Sequence, residues 1–478
     1  MSGKLFLCLS LLAVLVSCKE NPPEENARSV PHFGWMEDVG SRNYPASGKV
    51  YHAGDYGAVG DAVMLCTEAI QKAIDDCAAN GGGMVSFTPG IFLTGSVFVK
   101  SGVDLHIPKG TMLIGSQDIA DYRKLDTRVA GIEMKWPAAL VNIIDQKNAS
   151  ISGDGVIHGR GKVFWDKYRS MRSEYDPKGL RWVVDYDCER PRGILVSGCS
   201  DVTVKDIVLY QAGFWSLHIL YSEYVTVDGV IISNNIEGRG PSTDGIDIDS
   251  SSKILVQNSN INCNDDNFCL KAGRDADGLR VGRPCEYIVI RDCVAGHGDG
   301  LFTCGSETSG NIRHIVAYNM KGIGTKYGLR FKSTSTRGGT IEDIHLHNIE
   351  MTGVRDPFVV DLNWYPAYNK SKLPDELDVN TIPEHWKKLM LEVNPHRGMP
   401  KFRDIHFENV TATGAGTCIK VSGMENGSID NFHFRNVHLE GRDAGNIKWA
   451  KNWTFDRTTV KSDAGTPVVV ENSEHVKL

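Results

Sequence analysis

Short runs of alternating hydrophobic and polar residues recur along most of the chain. Each run is rich in β-branched or aromatic residues and is followed closely by Asn, Asp or Gly, a pattern typical of a strand and its turn. The clearest runs begin at Val202, Val225, Ile254, Ile288, Ile315, Ile344, Ile405 and Phe432. Successive starts are 23, 29, 34, 27, 29, 61 and 27 residues apart, so the interval of 61 holds one repeat with an insertion or two repeats.

Repeats of this length without a helix in each unit predict a β-solenoid in which one repeat forms about one coil. A β-propeller is the alternative, but it requires a period of about 40–50 residues and four strands per blade. We therefore predict an all-β fold in the form of a parallel β-helix. The segment 363–399 is a long excursion from one coil and could form a wall beside a cleft.

One segment before the repeats has helical periodicity. Residues 67–77 carry apolar side chains at helical spacing, and three glycines from Gly81 follow them. The apolar positions are Ile70, Ala73, Ile74 and Cys77. An amphipathic helix here would cover the open edge at the first coil, so we predict an N-terminal capping helix.

The N-terminus reads as an export signal. Its apolar run, residues 5–16, is too short to span a bilayer. The tetrapeptide that ends at Cys18 resembles a bacterial lipobox, which predicts lipidation of this cysteine; an ordinary cleaved signal with an incidental cysteine is the alternative. We predict a lipoprotein signal peptide over residues 1–17, a tether over 18–45 and a β-helix domain over 46–478.

This organisation predicts an exported bacterial lipoprotein of the cell envelope. The lipid on Cys18 would be its sole attachment to a membrane, at the outer membrane, on the periplasmic face or the cell surface. The sequence leaves the choice of leaflet open. We expect a monomer.

Composition narrows the classes of ligand. The chain has 478 residues with 41% hydrophobic and 23% charged, as in a globular protein, and its net charge of −7 gives no basic surface for nucleic acid. Of its 12 cysteines, ten follow Cys18 without CxxC pairs or zinc-ligand spacing. We interpret these ten as small buried hydrophobes, leave disulfide pairing open, and expect neither a metal nor a cofactor.

Polar clusters occur on consecutive predicted coils, at 242–247, 264–267, 296–298 and 330–332. Residues one coil apart stack at about 5 Å, so the clusters can share one face of the solenoid. Stacked carboxylates suit glycoside hydrolysis, in which one acid protonates the leaving oxygen and another carboxylate activates water. Each cluster alone reads as ordinary turn residues; their coincidence on successive coils favours a site.

The last cluster indicates the charge of the substrate. Arg330 and Lys332 alternate with apolar residues, so both cations can face outward together and bind a carboxylate, which points to a uronic acid sugar. By the same alternation, Asp247 and Asp249 face outward on their strand. Alternation alone does not select Asp244.

These residues resemble the four motifs of the polygalacturonase family, family 28 of the glycoside hydrolases, in the same order. The matching motifs are Thr243-Asp244, Asp265-Asp266, Gly296-His297-Gly298 and Arg330-Phe331-Lys332. The resemblance implies a right-handed parallel β-helix and an inverting mechanism. It assigns Asp265 as the general acid, while Asp244 and Asp266 would hold and deprotonate the attacking water.

The resemblance also assigns supporting residues. His297 would support the general acid, Arg330 and Lys332 would bind the galacturonate carboxylate, and Tyr365 would contact substrate. The chain departs from the family pattern at Ser242, Asn264 and Phe331, and we expect Ser242 and Phe331 to alter the shape of the subsite.

Two loops, 273–278 and 305–310, are similar to those of exo-acting members, and they could block one end of the cleft. The sequence therefore predicts a hydrolase that cleaves α-galacturonosidic linkages in pectic oligo- or polysaccharides, acting from chain ends. Two alternatives stay open at this stage: a pectic polysaccharide lyase on the same fold, and a non-catalytic glycan-binding solenoid. The sequence does not select among homogalacturonan, rhamnogalacturonan and substituted pectins.

Overall fold

The computed structural model describes residues 30–45, 48–369 and 371–478. The predicted signal peptide and the lipidation residue Cys18 lie outside the described residues. Among the helices in the described ranges, none combines the length and the apolar character needed to cross a membrane.

Helices are few and lie between strands. The α-helices of the described residues are α1 (Thr67–Ala79), α2 (Lys162–Tyr175), α3 (Val184–Asp187), α4 (Asp275–Val281), α5 (Pro366–Asn369), α6 (Glu384–Leu389) and α7 (Pro395–Gly398). Short 3-10 turns occupy Gly34–Asp38, Ala53–Tyr56, Ile119–Asp121, Asp176–Lys178 and Arg181–Val183.

Strands make up most of the chain. The N-terminal third contains β1 (Val50–His52), β2 (Asp61–Leu65), β3 (Gly83–Ser86), β4 (Gly90–Thr94), β5 (Val97–Val99), β6 (Val103–His106), β7 (Thr111–Gly115), β8 (Lys124–Val129), β9 (Ile132–Pro137), β10 (Val141–Ile144), β11 (Lys147–Ser152) and β12 (Val156–His158). The middle contains β13 (Ile194–Ser197), β14 (Ser200–Lys205), β15 (Val208–Tyr210), β16 (Leu217–Leu220), β17 (Glu223–Asp228), β18 (Ile231–Ser233), β19 (Ile246–Asp249), β20 (Ser252–Gln257), β21 (Asn260–Asn262) and β22 (Phe268–Lys271). The C-terminal part contains β23 (Cys285–Ala295), β24 (Gly300–Cys304), β25 (Ile312–Ile323), β26 (Tyr327–Lys332), β27 (Thr340–Thr352), β28 (Asp356–Asp361), β29 (Lys401–Ser422), β30 (Ser428–Lys448), β31 (Lys451–Asp456), β32 (Thr459–Ser462), β33 (Val469–Glu471) and β34 (Glu474–Val476).

The strands wind into a right-handed parallel β-helix, as predicted. In a typical coil, three strands pair in parallel with the three strands of the next coil: β13, β14 and β15 with β16, β17 and β18. The predicted repeat starts are direct register partners, in the order Val202, Val225, Ile254, Ile288, Ile315, Ile344, Ile405 and Phe432. The periodicity of the sequence is therefore the periodicity of the coil.

The interval of 61 residues is one coil with an insertion. Ile344 pairs directly with Ile405, and helices α5, α6 and α7 lie in the chain between their strands. The insertion leaves the coil after β28 and returns at β29 without displacing the register of the stack.

Helix α1 is the predicted cap. Its buried residues are Ile70, Ala73, Ile74 and Cys77, the four positions that helical spacing selects. Gly81, Gly82 and Gly83 adopt positive φ angles directly after the helix, a conformation in which a side chain would be strained. The capping helix is therefore confirmed, together with the signal that ends it.

The inside of the coil is an almost purely apolar column. Inward residues of each strand, such as Ile254, Ile288 and Ile315, are fully buried and stack on one another. All ten cysteines of the described residues are buried free thiols, which confirms their interpretation as small apolar side chains.

One turn of the coil carries a ladder of side-chain amides. Asn319, Asn348, Asn409 and Asn436 all adopt left-handed backbone angles with φ between 52° and 55°. The Asn409 amide donates to Asn348 at 3.1 Å and accepts from Asn436 at 2.6 Å. Asparagine tolerates this backbone conformation better than other residues with a side chain, which explains why the strand runs are followed by Asn or Asp.

A second hydrophobic cluster lies outside the coil. It joins the antiparallel hairpin β8–β9, residues 162–187 and the insertion after β28, and we call this assembly the outer wall. Its buried members are Val129, Ala130, Ile132, Trp136, Leu180, Trp182, Val183, Tyr186, Phe214, Trp215, Tyr368, Ile382, Trp386 and Leu389. The excursion predicted to wall a cleft does so together with two other insertions.

The loop 273–278 fastens the outer wall to the coil. Arg274 is fully buried and donates to the Tyr186 hydroxyl at 2.7 Å and to the Tyr368 carbonyl at 3.1 Å. Asp277 accepts from the backbone of Glu133 at 2.7 Å and lies 3.6 Å from the Lys388 ammonium. Segments more than 250 positions apart in sequence thus meet at one carboxylate.

The last part of the predicted tether contacts the coil. The ring centroids of Phe33 and His345 are 4.7 Å apart, and those of Trp35 and Tyr287 are 5.6 Å apart. The Arg42 guanidinium donates to Asp201 at 3.0 and 2.8 Å. Residues 30–45 therefore lie along the outside of the solenoid.

The amide ladder generates a stability prediction. Asn409→Ala should lower the free energy of unfolding by about 2 kcal/mol, because it removes two hydrogen bonds and because alanine tolerates the left-handed region less well than asparagine. Urea denaturation measures the loss. Asn409→Gly removes the same hydrogen bonds but accepts the backbone angle, so it should cost less; a larger loss for glycine would contradict the role given to the turn conformation.

Candidate active site

A cavity of about 520 Å³ lies between the outer wall and the coil. Beneath it runs a row of buried polar residues, which we call the catalytic strip, at equivalent positions on successive strands: His218, Asp247, Cys269, Thr303 and Arg330. Of these five residues, Arg330 lines the cavity. The charged residues lining the cavity are Arg172, Arg181, Asp185, Asp244, Asp265, Lys271, Asp299, Glu307, Lys326, Arg330 and Lys332. The volume falls within the range of small-ligand pockets.

The structure brings the three predicted carboxylates together. Asp244 precedes β19, and Asp265 and Asp266 precede β22, so all three stand at the turn into the same sheet on adjacent coils. One carboxylate oxygen from each lies within 4.8 Å of one from each of the others. Gly245 makes this approach possible, since a Cβ there would lie 2.4 Å from the Asn267 carbonyl oxygen.

Asp266 is held as an anion. It accepts from the Gly300 amide at 2.9 Å and the Thr303 hydroxyl at 2.8 Å, and it pairs with Arg330 at 3.1 Å and Lys332 at 2.7 Å. Burial opposes ionisation, but these two cations outweigh it and hold the pKa of Asp266 well below its usual range. Asp266 therefore stays ionised at neutral pH.

Asp265 and Asp244 have the opposite tendency. Burial raises the pKa of Asp265 well above its usual value, and the neighbouring charges of Asp244 and Asp299 raise it further. Burial also raises the pKa of Asp244, with Asp247 as the next contribution. The site thus places a protonated carboxylic acid beside an ionised carboxylate, the pairing that glycoside hydrolysis requires.

Lys271 supplies a positive charge next to several of the buried acids. Its ammonium lies 3.6 Å from Asp244, 3.5 Å from Asp247 and 3.4 Å from Glu307. Both carboxylate oxygens of Asp247 are buried without a hydrogen-bond partner, so this ion pair is the compensation that the described residues provide for it. Sequence reasoning missed Lys271, although its alternation with the buried Phe268 and Leu270 would have placed it outward.

The two predicted substrate cations lie at the other side of Asp266. Arg330 and Lys332 are 5% and 4% exposed and both line the cavity. Arg330 stacks 3.9 Å from the Tyr327 ring centroid, and the Lys332 ammonium lies 4.4 Å from the Trp364 ring centroid. Phe331 between them is fully buried inside the coil.

One expectation about the subsite is therefore wrong. Phe331 packs against Phe302 and Phe407 within the core and does not reach the cavity, because neighbouring residues of a strand point to opposite faces. Ser242 does line the cavity, and its hydroxyl donates to Asp185 at 3.0 Å. Of these two departures from the family motifs, Ser242 is the one at the cavity surface.

Tyr365 lines the cavity as part of the outer wall. Its backbone has a φ of 41°, and hydrogen bonds from the Asn369 side chain to the carbonyls of Trp364 and Tyr365 hold this turn. A strained backbone at a cavity surface marks a position that the surrounding structure fixes. The structure brings Tyr365 to the site without testing its contact with substrate.

His297 lies apart from this group. Its side chain is exposed and is not among the residues lining the cavity, while its backbone carbonyl accepts from the Cys263 amide at 3.2 Å. The support of the general acid by His297 stays a prediction. Cys18, the predicted lipidation residue, lies outside the described residues.

The loop 305–310 also reaches the cavity, through Ser306 and Glu307. Further lining residues, Arg172, Arg181 and Asp185, come from the insertion between β12 and β13. That insertion has no counterpart in the repeat, so neither periodicity nor motif spacing could place it beside the catalytic strip.

The three clustered carboxylates could approach a cation, but they do not form a convincing metal centre. Calcium takes six to eight oxygen ligands, whereas this cluster offers one oxygen from each of three residues within 4.8 Å. Asp266 is already neutralised by Arg330 and Lys332. The charge arrangement fits a proton donor and a water-activating carboxylate better.

Comparisons with known proteins agree with this geometry. Residues 105–383, more than half of the chain, match the model of glycosyl hydrolases family 28. An exo-poly-alpha-D-galacturonosidase from Dickeya chrysanthemi is 25% identical over 453 residues, which cover 86% of this chain and 71% of that protein. A probable polygalacturonase from Vitis vinifera is 28% identical over 321 residues, covering 65% of this chain and 62% of that protein, less than two thirds of its length.

Among solved structures, a hyperthermoactive exopolygalacturonase from Thermotoga maritima superposes with a TM-score of 0.71 at 26% identity. The match covers 85% of this chain and 90% of that one. The similarity therefore extends over most of both chains.

The contacts of Lys271 generate a prediction on stability. Lys271→Met should lower the free energy of unfolding by about 3–5 kcal/mol at pH 7, because it leaves buried carboxylates without a counter-charge. Losing the cation raises the pKa of Asp244, Asp247 and Glu307 in the folded state. The deficit should therefore grow as pH rises through the pKa values that these groups have in the folded wild-type protein, beginning with Glu307, whose pKa Lys271 helps to lower.

Urea denaturation between pH 4 and 8 measures this deficit. Lys135→Met is the matched control, since Lys135 and its partner Asp126 are 70% and 83% exposed, and it should cost less than about 1 kcal/mol. A loss for Lys271→Met that equals the control, or that does not change with pH, would contradict the role of Lys271.

Proposed function

Because the chain belongs to family 28 of the glycosyl hydrolases, we propose that it hydrolyses α-galacturonosidic linkages in pectic oligo- or polysaccharides and acts from chain ends. One observation carries the proposal: Asp265 lines the cavity beside the buried Asp266, and the pKa values of these adjacent carboxyls are shifted in opposite directions. Two neighbouring carboxylates with separate protonation states supply an acid and a base in one step.

The step follows from these protonation states. Asp265 donates its proton to the glycosidic oxygen as the bond to the anomeric carbon breaks. Asp266, ionised beside Arg330 and Lys332, accepts a proton from the attacking water, which forms the new bond to that carbon. Asp244, whose pKa is raised, positions the water by hydrogen bonding rather than by removing its proton.

The cations support an acidic substrate. Arg330 and Lys332 are buried at the cavity surface, where Asp266 pairs with both and Asp299 pairs with Arg330 and Lys326. Three cations therefore face two carboxylates, and one positive charge remains. A uronic acid carboxylate can take up the remainder with charge-assisted hydrogen bonds. The relatives from Dickeya chrysanthemi and Vitis vinifera, named for galacturonan cleavage, support the same class of sugar.

The outer wall supports action from chain ends. Its own hydrophobic cluster stabilises it, and residues of the wall such as Arg172, Arg181 and Tyr365 line the cavity of about 520 Å³ opposite the coil. A wall of this kind would stop a polymer from passing through the site. The names of the Dickeya chrysanthemi and Thermotoga maritima proteins support the same assignment.

We also propose that the protein is an exported lipoprotein of the cell envelope and acts as a monomer. The apolar run 5–16 and the lipobox-like sequence that ends at Cys18 support the anchor. The solenoid fold, in which each coil packs on its neighbours within one chain, supports the monomer.

Substitution of the acids tests the mechanism. Asp265→Asn and Asp244→Asn should each lower kcat on polygalacturonate at least 100-fold while circular dichroism stays unchanged, because proton donation and positioning of water are lost. In the wild-type protein, activity should fall as pH rises through the raised pKa of Asp265 and persist at acidic pH, where Asp266 remains ionised.

The control for these variants is Asp126→Asn, which removes an exposed carboxylate of the hairpin β8–β9 and should retain full activity. Normal turnover by Asp265→Asn would refute the assignment of the general acid. Absence of hydrolysis by the wild-type protein as well as by both variants would favour the non-catalytic alternative.

The products test the mode of cleavage. Digestion of polygalacturonate should release monogalacturonate with a slow fall in viscosity, and no unsaturated uronide should absorb in the ultraviolet. Proton NMR during the reaction should show the β-anomer first. The anomer is a demanding test of inversion. Carboxylate oxygens of Asp244, Asp265 and Asp266 lie within 4.8 Å of one another, whereas the two carboxyl groups of most inverting enzymes are about 6.5–9.5 Å apart.

Early release of long oligomers would contradict action from chain ends. An α-anomer as the first product would show that the mechanism is retaining and not inverting. Ultraviolet absorbance of the products would identify a lyase.

A further inference from the structure

A row of charged residues crosses the turns in front of strands β22, β24 and β26. These strands pair in parallel register, and counting back along them places Asp265, Asp299 and Lys326 at equivalent positions on three successive coils. Equivalent positions on adjacent coils are about 5 Å apart. All three residues line the cavity, so the proposed general acid has a carboxylate on the next coil and an ammonium group one coil further.

Backbone and side-chain contacts fix Asp299 between its two neighbours. Its amide donates to the Asp265 carbonyl at 2.7 Å, and its carbonyl accepts from the Tyr327 amide at 2.8 Å. Its carboxylate lies 2.6 Å from the Lys326 ammonium and 3.7 Å from the Arg330 guanidinium. The Asp299 side chain is 21% exposed and that of Lys326 is 57% exposed, so the carboxylate is the more shielded partner of this ion pair.

The two charges of the row act on the same acid in opposite directions. Burial is the largest cause of the raised pKa of Asp265, and the charges of Asp244 and Asp299 add to it. Burial acts against the charge of Lys326, but Asp299 and Asp265 raise the pKa of this lysine. Asp299 therefore favours the protonated form of Asp265, whereas Lys326 favours the ionised form.

The remaining groups around Asp265 already have other roles. The titratable and charged groups that act on it from its own turn and from the adjacent coils are Asp244, Asp247, Cys263, Asp266, Asp299, Lys326, Arg330 and Lys332. Arg330 and Lys332 both pair with Asp266, at 3.1 and 2.7 Å. Asp299 and Lys326 can be changed without altering a residue of the proposed mechanism.

Asp299 also stands where a supporting residue for the general acid is needed. The family resemblance gives this support to His297, but the His297 side chain is exposed and does not line the cavity. Asp299 follows two residues later on the same turn and does line it. Neither Asp299 nor Lys326 lies within the four sequence motifs.

We propose that Asp299 and Lys326 are positioning residues that act through Asp265: the Asp299 carboxylate holds the proton on the general acid, and Lys326 limits this effect. The inference rests on the proposed function and gives neither residue a contact with the reacting atoms. The balance between two opposite charges on adjacent coils sets the highest pH at which the acid still has a proton to donate.

Removing each charge in turn tests the inference through the pH profile of kcat on polygalacturonate. The alkaline limb of this profile marks the pH at which Asp265 loses its proton. Asp299→Asn should move the limb to lower pH by about one unit, because it removes a negative charge next to the acid. Lys326→Met removes a positive charge and should move the limb to higher pH, by less because the exposed ammonium is screened by solvent and salt.

Conservative variants separate the effect of charge from the shape of the turn. Asp299→Glu and Lys326→Arg keep the charges and should restore the wild-type limb. Glu350→Gln is the matched control, because Glu350 also pairs with a lysine on the adjacent coil, Lys321 at 3.6 Å, but does not line the cavity. This variant should leave the profile unchanged.

The acidic plateau of the profile distinguishes a positioning residue from a catalytic one. Asp265 is protonated there with or without Asp299, so kcat of Asp299→Asn should stay within about tenfold of the wild-type value, whereas loss of a general acid costs about 10²–10⁴-fold. Three outcomes would each overturn the inference: an alkaline limb that does not move in Asp299→Asn, a shift of the same sign in Lys326→Met, or a loss of about 100-fold or more at every pH.

Failure of the proposed function is distinguishable from failure of this inference. If the wild-type protein cleaves no galacturonide, the assigned activity is wrong, and infrared titration of the carboxylic acid band that disappears in Asp265→Asn then decides the inference alone. A lower titration midpoint in Asp299→Asn and a higher one in Lys326→Met would support the inference. Equal midpoints in the wild-type protein and both variants would overturn it.

Discussion

The constraint on which the structure depends is the parallel register between coils. Each coil rests on the previous one through backbone hydrogen bonds, and equivalent residues therefore recur at strand spacing on one face. Inward positions give an apolar column, as in the stack from Ile254 to Ile315. On the outside, the same register places His218, Asp247, Cys269, Thr303 and Arg330 in line next to the site.

Such a strip would be unstable without charge compensation. The acids are withdrawn from water beneath the outer wall, and each is stabilised differently: Asp266 by two cations and two hydrogen bonds, Asp247 by Lys271. Burial and acidic neighbours instead raise the pKa of Asp265, which therefore retains its proton. Asp265 and Asp266 are identical and adjacent, and they differ in protonation because the coil places different residues next to each.

Much of this architecture could be predicted from the sequence, for a physical reason. Periodicity along the chain is converted directly into stacking, so Val202 through Phe432 gave the register and even the insertion near Ile344. The insertions themselves follow no period, and the sites of Arg172 and Arg181 depend on tertiary packing that no spacing encodes. Alternation placed Asp247 and Asp249 outward but could not select Asp244, which reaches the cavity just before the bend at Gly245.

The outer wall has a hydrophobic cluster of its own, distinct from the column inside the coil. Changes in the wall can therefore leave the catalytic strip and its register intact, as the undisturbed pairing of Ile344 with Ile405 across one insertion illustrates. Chemistry and access to the site are carried by separately stabilised parts of the molecule. An evolving lineage could remodel its wall to admit other glycans while inheriting the same acids, so new specificity would arise mainly through insertions rather than through the repeats.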